Sequence, residues 1–313
     1  MKDPADIQAE HGHGAPGEIP PGESGPARTR RAIVAAIAAA LAAGCGRIEF
    51  AAANLPAAFG AYRRHTDEAY GTEPRQRLDV YVPDHAVSKS PPLIVFWHGG
   101  RWTSGDKSDY RFVGAALAEL GFVSMVANYR RYPDVKMAGF MHDTASAAAW
   151  AAAHAAQFGA SAERLFLMGH SSGAHMAALA TLDRRYFASL GAAAPPIAGF
   201  IGLSGPYDFL PLHDADTEDM FGPPSRYAES QPINFVRPDA PPMLLVHGLK
   251  DETVRPRNSR NLAAALRAQG VAVELELFPE LGHADTVAAL SKPARGRAPI
   301  LDEIRAFVTQ IPA

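Results

Sequence analysis

The 313-residue chain holds one cysteine, Cys45, so it can form no internal disulfide. It has no excess of either charge: 30 Lys and Arg stand against 33 Asp and Glu, a net charge of −3. Without a basic surplus there is no electrostatic case for a nucleic-acid partner. No group of Cys, His and carboxylates has the spacing of a structural zinc site. His11 and His13 in "HGHG" sit in a Pro- and Gly-rich tail and read as solvated rather than metal-binding. A long hydrophobic run is missing too. The unbroken apolar stretch from Ala32 to Ala43 is too short for a bilayer core of ~30 Å at a rise of ~1.5 Å per residue. No internal repeat is visible.

What the N-terminal region does have is order in its composition. Residues 1–30 are rich in Pro, Gly and charge and read as disordered. Arg28, Arg30 and Arg31 then precede the apolar stretch, which ends in small residues; this is the layout of a secretory signal. The ending "LAAGC", Leu41 to Cys45, resembles a bacterial lipoprotein lipobox, with Ala42 where leucine is usual. That resemblance implies that Cys45 is the lipidated first residue of the mature protein and a membrane tether. The stretch before the arginines is long for a signal and contains acids, which a misassigned start codon would explain. The alternative is an alanine-rich N-terminal helix of a cytoplasmic protein. The expectation is export, to a bacterial periplasm or as an anchored lipoprotein. Residues 1–45 form tail and signal, 46–72 a linker, and 73–313 the folded domain.

Beyond the linker, strand and helix patterns alternate. "QRLDVYVP" from Gln76 alternates apolar and polar residues, as in a half-buried strand. "PLIVFWHGG" from Pro92 is continuously apolar, as in a strand covered on both faces. Further strands are expected at 122–129, 164–169, 197–205, 242–248 and, edge-like, 272–279. Helices are expected at 109–121, 141–159, 172–182, 257–270 and 299–310. The pattern predicts an α/β fold with a mostly parallel sheet and helices on both faces. Ligands of such sheets sit beyond the carboxyl ends of the strands. The segment from Tyr207 to Val236 breaks the rhythm, rich in Pro, Asp and aromatics, and is expected to form a cap or loop over the site.

Gly169-His170-Ser171-Ser172-Gly173 fits G-x-S-x-G, with strand-like "RLFLMG" before it and helix formers after it. A serine hydroxyl needs a base to take its proton and a third group to orient that base. Asp251 follows the strand at 242–248, and His283 follows the strand at 272–279. The order Ser171, Asp251, His283 resembles that of nucleophile, acid and base in the α/β-hydrolase fold. Asp251 could also be an ordinary turn aspartate; Glu252 is its nearest rival, with Asp208 and Asp214 weaker. His170, His175 and His247 border motifs at turn or helix positions and are expected to be explained by packing. His142 and His154 lie in the helix at 141–159. "HGGRWTSGDK" from His98 supplies a Gly-Gly turn whose N–H groups can face an oxyanion. Its candidate donors are Gly99, Gly100 or Arg101, joined by the N–H of Ser172.

Taken together, "LDVYVP" from Leu78, "HGGRW" from His98, "GDK" from Gly105, "GHSSGAH" from Gly169, "SGPYD" from Ser204, "HGLKDETV" from His247 and "GHAD" from Gly282 resemble the α/β-hydrolase superfamily. The branch resembled is that of esterases with an HGG-x-W oxyanion loop: carboxylesterases, feruloyl-esterase-like and kynurenine-formamidase-like enzymes. The resemblance implies ester or amide hydrolysis through an acyl-enzyme on Ser171. His283 would act as base, Asp251 as its orienting acid, and no metal or organic cofactor would be needed. Its expected partner is a small ester or amide, with no protein partner. Arg101 and Trp102 are candidate substrate contacts. Arg101 departs from the aromatic or small residue of many relatives; it either brings positive charge to an acidic substrate or points to solvent, and solvent is the expectation. The alternatives to a carboxylesterase are a formamidase or arylamidase and, from another class, a non-catalytic binding module on the same fold.

Overall fold

A computed structural model of the protein describes residues 50–191 and 194–312. Cys45 and the signal-like stretch lie outside the described residues.

Eight strands form one sheet: β1 (Tyr62–Ala69), β2 (Arg77–Pro83), β3 (Pro92–Trp97), β4 (Val123–Ala127), β5 (Ser161–His170), β6 (Ile197–Leu203), β7 (Met243–Gly248) and β8 (Val273–Phe278). They lie in the order β1-β2-β4-β3-β5-β6-β7-β8. β1 and β2 pair antiparallel with their neighbours; from β4 to β8 every pairing is parallel. β3, β4 and β7 are buried along their whole length, as continuously apolar central strands must be.

The two-residue period of the strands sorts their side chains to two faces. Leu93, Val95 and Trp97 of β3 share one core with α2 (Met137–His154), α3 (Ser172–Leu182) and α5 (Arg257–Ala268). Ile94 and Phe96 share the other with α1 (Arg111–Glu119) and α6 (Ile300–Gln310). A short helix, α4 (Ala215–Phe221), stands in the irregular segment after β6. Every residue of α3 is buried, which is why its sequence is apolar all round rather than amphipathic.

The expected linker at 46–72 is corrected in its second half. Residues 62–69 form β1, an antiparallel edge strand on β2. Its sequence, "YRRHTDEA", is polar and largely exposed, so it carries no apolar alternation. Edge strands bond through the backbone, and charged side chains there discourage pairing with other chains.

Candidate active site

β5 ends at His170 and α3 begins at Ser172, leaving Ser171 on the turn between them with φ 54° and ψ −122°. This backbone region is disfavoured for any residue with a Cβ. Two close approaches hold the turn. A Cβ on Gly169 would lie 2.3 Å from the Gly173 backbone, and one on Gly173 would lie 2.0 Å from the Trp97 carbonyl oxygen. Both glycines of the motif are therefore needed for the helix to start against β3 and β5.

His283 comes from the loop after β8. Its Nε2 lies 2.9 Å from Ser171 Oγ and its Nδ1 lies 2.8 Å from Asp251 Oδ2. A carboxylate can only accept, so Nδ1 carries the proton and Nε2 is left to accept from the serine hydroxyl. Asp251 is 1% exposed. Its Oδ1 accepts the N–H groups of Thr253 and Val254 at 2.9 and 2.8 Å. Burial works against its charge, but hydrogen bonds from His247 and His283 and from the Val254 backbone outweigh it and hold the carboxyl well below its ordinary range. Of its rivals, Glu252 is exposed beside it, Asp208 is bonded by Asn261, and Asp214 caps α4.

The histidines set aside as packing residues divide. His175 bridges Trp102 and the chain after α4: its Nδ1 accepts the Trp102 indole N–H at 3.2 Å and its Nε2 donates to the Ser230 carbonyl at 2.7 Å. His170 Nε2 donates to the carbonyl of His283 at 3.1 Å and so steadies that loop. His247 is not on a turn. It lies within β7, and its Nε2 is 2.8 Å from the Val254 carbonyl and 3.2 Å from Asp251 Oδ2. The spacing i to i+4 across the strand end was the available signal, and a lone histidine beside a glycine did not reveal it.

The loop after β3 runs through three successive residues of positive φ: Gly100 at 128°, Arg101 at 54° and Trp102 at 61°. The Gly100 carbonyl accepts the N–H groups of Thr103 and Ser104, closing the turn. Among the described residues no acceptor is found for the N–H groups of Gly100, Arg101 and Ser172. The Gly99 backbone instead hydrogen-bonds the buried Tyr110 phenol. Gly99 still has a spatial role, because a Cβ there would lie 3.1 Å from that of Ser171. The loop is anchored at its far end by Lys107, paired with Asp79 at 2.5 Å and Asp67 at 2.8 Å.

A cavity of about 280 Å³ opens over Ser171 and Ser172. Trp102, Phe209 and Leu212 give it apolar walls, and Arg101, Arg255 and Arg257 line it as well. Phe209 and Leu212 come from the segment after β6, so the expected cap over the site is where the sequence broke its rhythm. Arg101 is 68% exposed at its side chain and reaches Asp214 at 3.5 Å, so it is a solvated, paired residue of the mouth. Sequence reading missed Arg255 and Arg257, which carry no motif. Among the described residues no three His, Cys, Asp or Glu side chains are grouped to hold a metal ion.

The chain is similar to known proteins over this same region. Residues 78–266 match the family described as BD-FAE. The chain is 28% identical over 249 residues to isoprenylcysteine alpha-carbonyl methylesterase of Arabidopsis thaliana, covering 72% of this chain and 57% of that protein. It is 30% identical over 259 residues to the esterase LipQ of Mycobacterium tuberculosis, covering 75% of this chain and 62% of that one. It thus spans less than two-thirds of the length of these relatives. Among solved structures, esterase B from Lactobacillus rhamnosis superposes with a TM-score of 0.73 at 21% identity, over 90% of this chain and 97% of that one. With the family match spanning more than half of its length and the sheet order described above, the chain belongs to the BD-FAE family and has the α/β-hydrolase fold.

Proposed function

We propose that the protein is a serine hydrolase that cleaves small carboxylic esters through an acyl-enzyme. The observation that carries this reading is His283, whose two ring nitrogens lie within hydrogen-bond distance of Ser171 Oγ and Asp251 Oδ2. Membership of a family whose relatives are named esterases supports the same chemistry.

In this reading Ser171 Oγ attacks the ester carbonyl while His283 Nε2 takes its proton. Asp251 keeps the Nδ1 proton in place and stabilises the imidazolium. Negative charge on the carbonyl oxygen is met by the N–H of Ser172 and by that of Gly100 or Arg101, donors with no other acceptor among the described residues. The imidazolium then protonates the departing alkoxide. Water, deprotonated by the same nitrogen, releases the acid and frees Ser171.

The test is hydrolysis of para-nitrophenyl acetate, butyrate and octanoate, a feruloyl ester and N-formylkynurenine by wild type and Ser171→Ala. Ester turnover that falls by at least ~10³-fold in the variant supports the reading. Full activity in Ser171→Ala defeats it, and preference for the formamide moves the protein to the formamidase alternative. We further propose export with lipidation at Cys45, which metabolic labelling with a radioactive fatty acid tests by its loss in Cys45→Ser.

A further inference from the structure

We propose that the protein selects esters carrying a carboxylate, bound at the mouth of the Ser171 cavity by Arg255 and Arg257. The inference names a substrate class and rests on the esterase reading above.

The argument is one of unpaired charge. Three arginines line this cavity, and among the described residues only Arg101 has an ion-pair partner, Asp214. Arg255 and Arg257 are exposed and pair with no carboxylate among the described residues. Three other cavities treat their cations differently. In one of about 600 Å³, Lys136, Arg185 and Arg226 are paired with Asp219, Asp183 and Glu229. In a second, Arg184 and Arg237 share Asp239. In a third, Lys292 and Arg295 share Glu119. Two free guanidinium groups thus belong to the cavity that also holds the candidate nucleophile, in a chain of net charge −3.

Their placement is also set. Asp251 Oδ1 accepts the N–H groups of Thr253 and Val254, so the turn that fixes the candidate acid fixes where Arg255 leaves the backbone. Arg257 begins α5, and the next residue, buried Asn258, accepts the N–H groups of Tyr207 and Asp208 at 2.9 and 2.8 Å. The guanidinium fork matches a carboxylate geometrically, and a pair of them at a cavity mouth attracts anions before contact. The apolar walls at Trp102, Phe209 and Leu212 suit the body of the same substrate.

The experiment uses two matched pairs. Para-carboxyphenyl acetate and para-carbamoylphenyl acetate differ in charge on the alcohol side. Para-nitrophenyl hydrogen adipate and its neutral adipamate counterpart differ on the acyl side. The readout is the carboxylate-to-amide ratio of kcat/KM in wild type, in Arg255→Gln/Arg257→Gln and in Arg260→Gln, an exposed arginine of α5 outside the cavity. For at least one pair the ratio falls about tenfold in the double variant and is kept in Arg260→Gln. An equal ratio in wild type and the double variant for both pairs overturns the inference while leaving ester hydrolysis intact. An equal fall in Arg260→Gln also overturns it, because a general field would then suffice. Calorimetric binding of the same pairs to Ser171→Ala gives the answer without turnover. Tighter binding of the carboxylate member, lost in the added double substitution, supports the inference even if ester hydrolysis itself fails, and equal binding overturns it.

Discussion

His247 Nε2 lies 3.2 Å from Asp251 Oδ2, the same oxygen that holds His283 Nδ1 at 2.8 Å. One carboxylate oxygen thus serves two imidazoles, and that of His247 is itself held at Nδ1 by Ser259 Oγ at 2.7 Å. His247 touches no reacting atom, so it is a positioning residue for the acid. Its substitution to Leu removes a donor to a buried charge, an interaction of about 1.5–3 kcal/mol. The expected outcome is a fall in kcat of roughly 10- to 100-fold with KM little changed. Wild-type kcat in a folded His247→Leu protein would reduce the contact to packing.

The glycines at the turn predict a graded response. A Cβ on Gly173 meets the Trp97 carbonyl oxygen at 2.0 Å, whereas one on Gly159 (φ 73°) meets nothing within 4 Å. Gly173→Ala must shift backbone and should cost at least ~3 kcal/mol, while Gly159→Ala carries only the left-handed penalty of roughly 1–2 kcal/mol. Urea unfolding of the two variants checks the order; a smaller loss in Gly173→Ala contradicts it.

The size of the cavity bears on chain length. At about 280 Å³ it is just below the ~300–1,000 Å³ of sites for drug-sized ligands. Acetate and butyrate esters should be cleaved with higher kcat/KM than the octanoate. Phe209→Ala removes a wall and should move the optimum to longer chains. A wild-type optimum at octanoate would mean that the apolar walls do not bound the acyl group.

Acid should unfold the protein from a pH well above the carboxylate range. Burial pushes the imidazoles of His98 and His175 down to about 4 and that of His170 to about 3, from an ordinary value of 6.5. Each is neutral in the folded state but takes up a proton on unfolding below pH 6.5. The unfolded chain then binds more protons, so stability falls as pH drops from 6.5 towards 4. Three such groups give a slope of up to roughly 4 kcal/mol per pH unit. Urea midpoints at pH 7 and pH 5 measure it, and equal midpoints would contradict it. His175→Gln should flatten the dependence by about one proton.

Much of this was legible in the chain because its signals are local. The apolar run of β3, the G-x-S-x-G turn and the glycine after His98 each state a backbone requirement within a few residues. β1 was not legible, since a polar edge strand is made by its partner's backbone and leaves no apolar pattern. The link between His247 and Asp251 was missed because one residue is in a strand and the other is on the turn beyond it.

By itself the sequence determined the alternation of strands and helices, and with it the chain order of Ser171, Asp251 and His283. Patterns of period two and 3.6 are written in neighbouring residues, and strand ends follow from them. Only the tertiary structure decided what those ends share. It brought His283 between Ser171 and Asp251. It also paired Arg101 with Asp214 and left Arg255 and Arg257, at the cavity mouth, without a carboxylate partner among the described residues. Ion pairing and cavity walls depend on residues distant in the chain, and their distances are set by how the sheet and its loops pack.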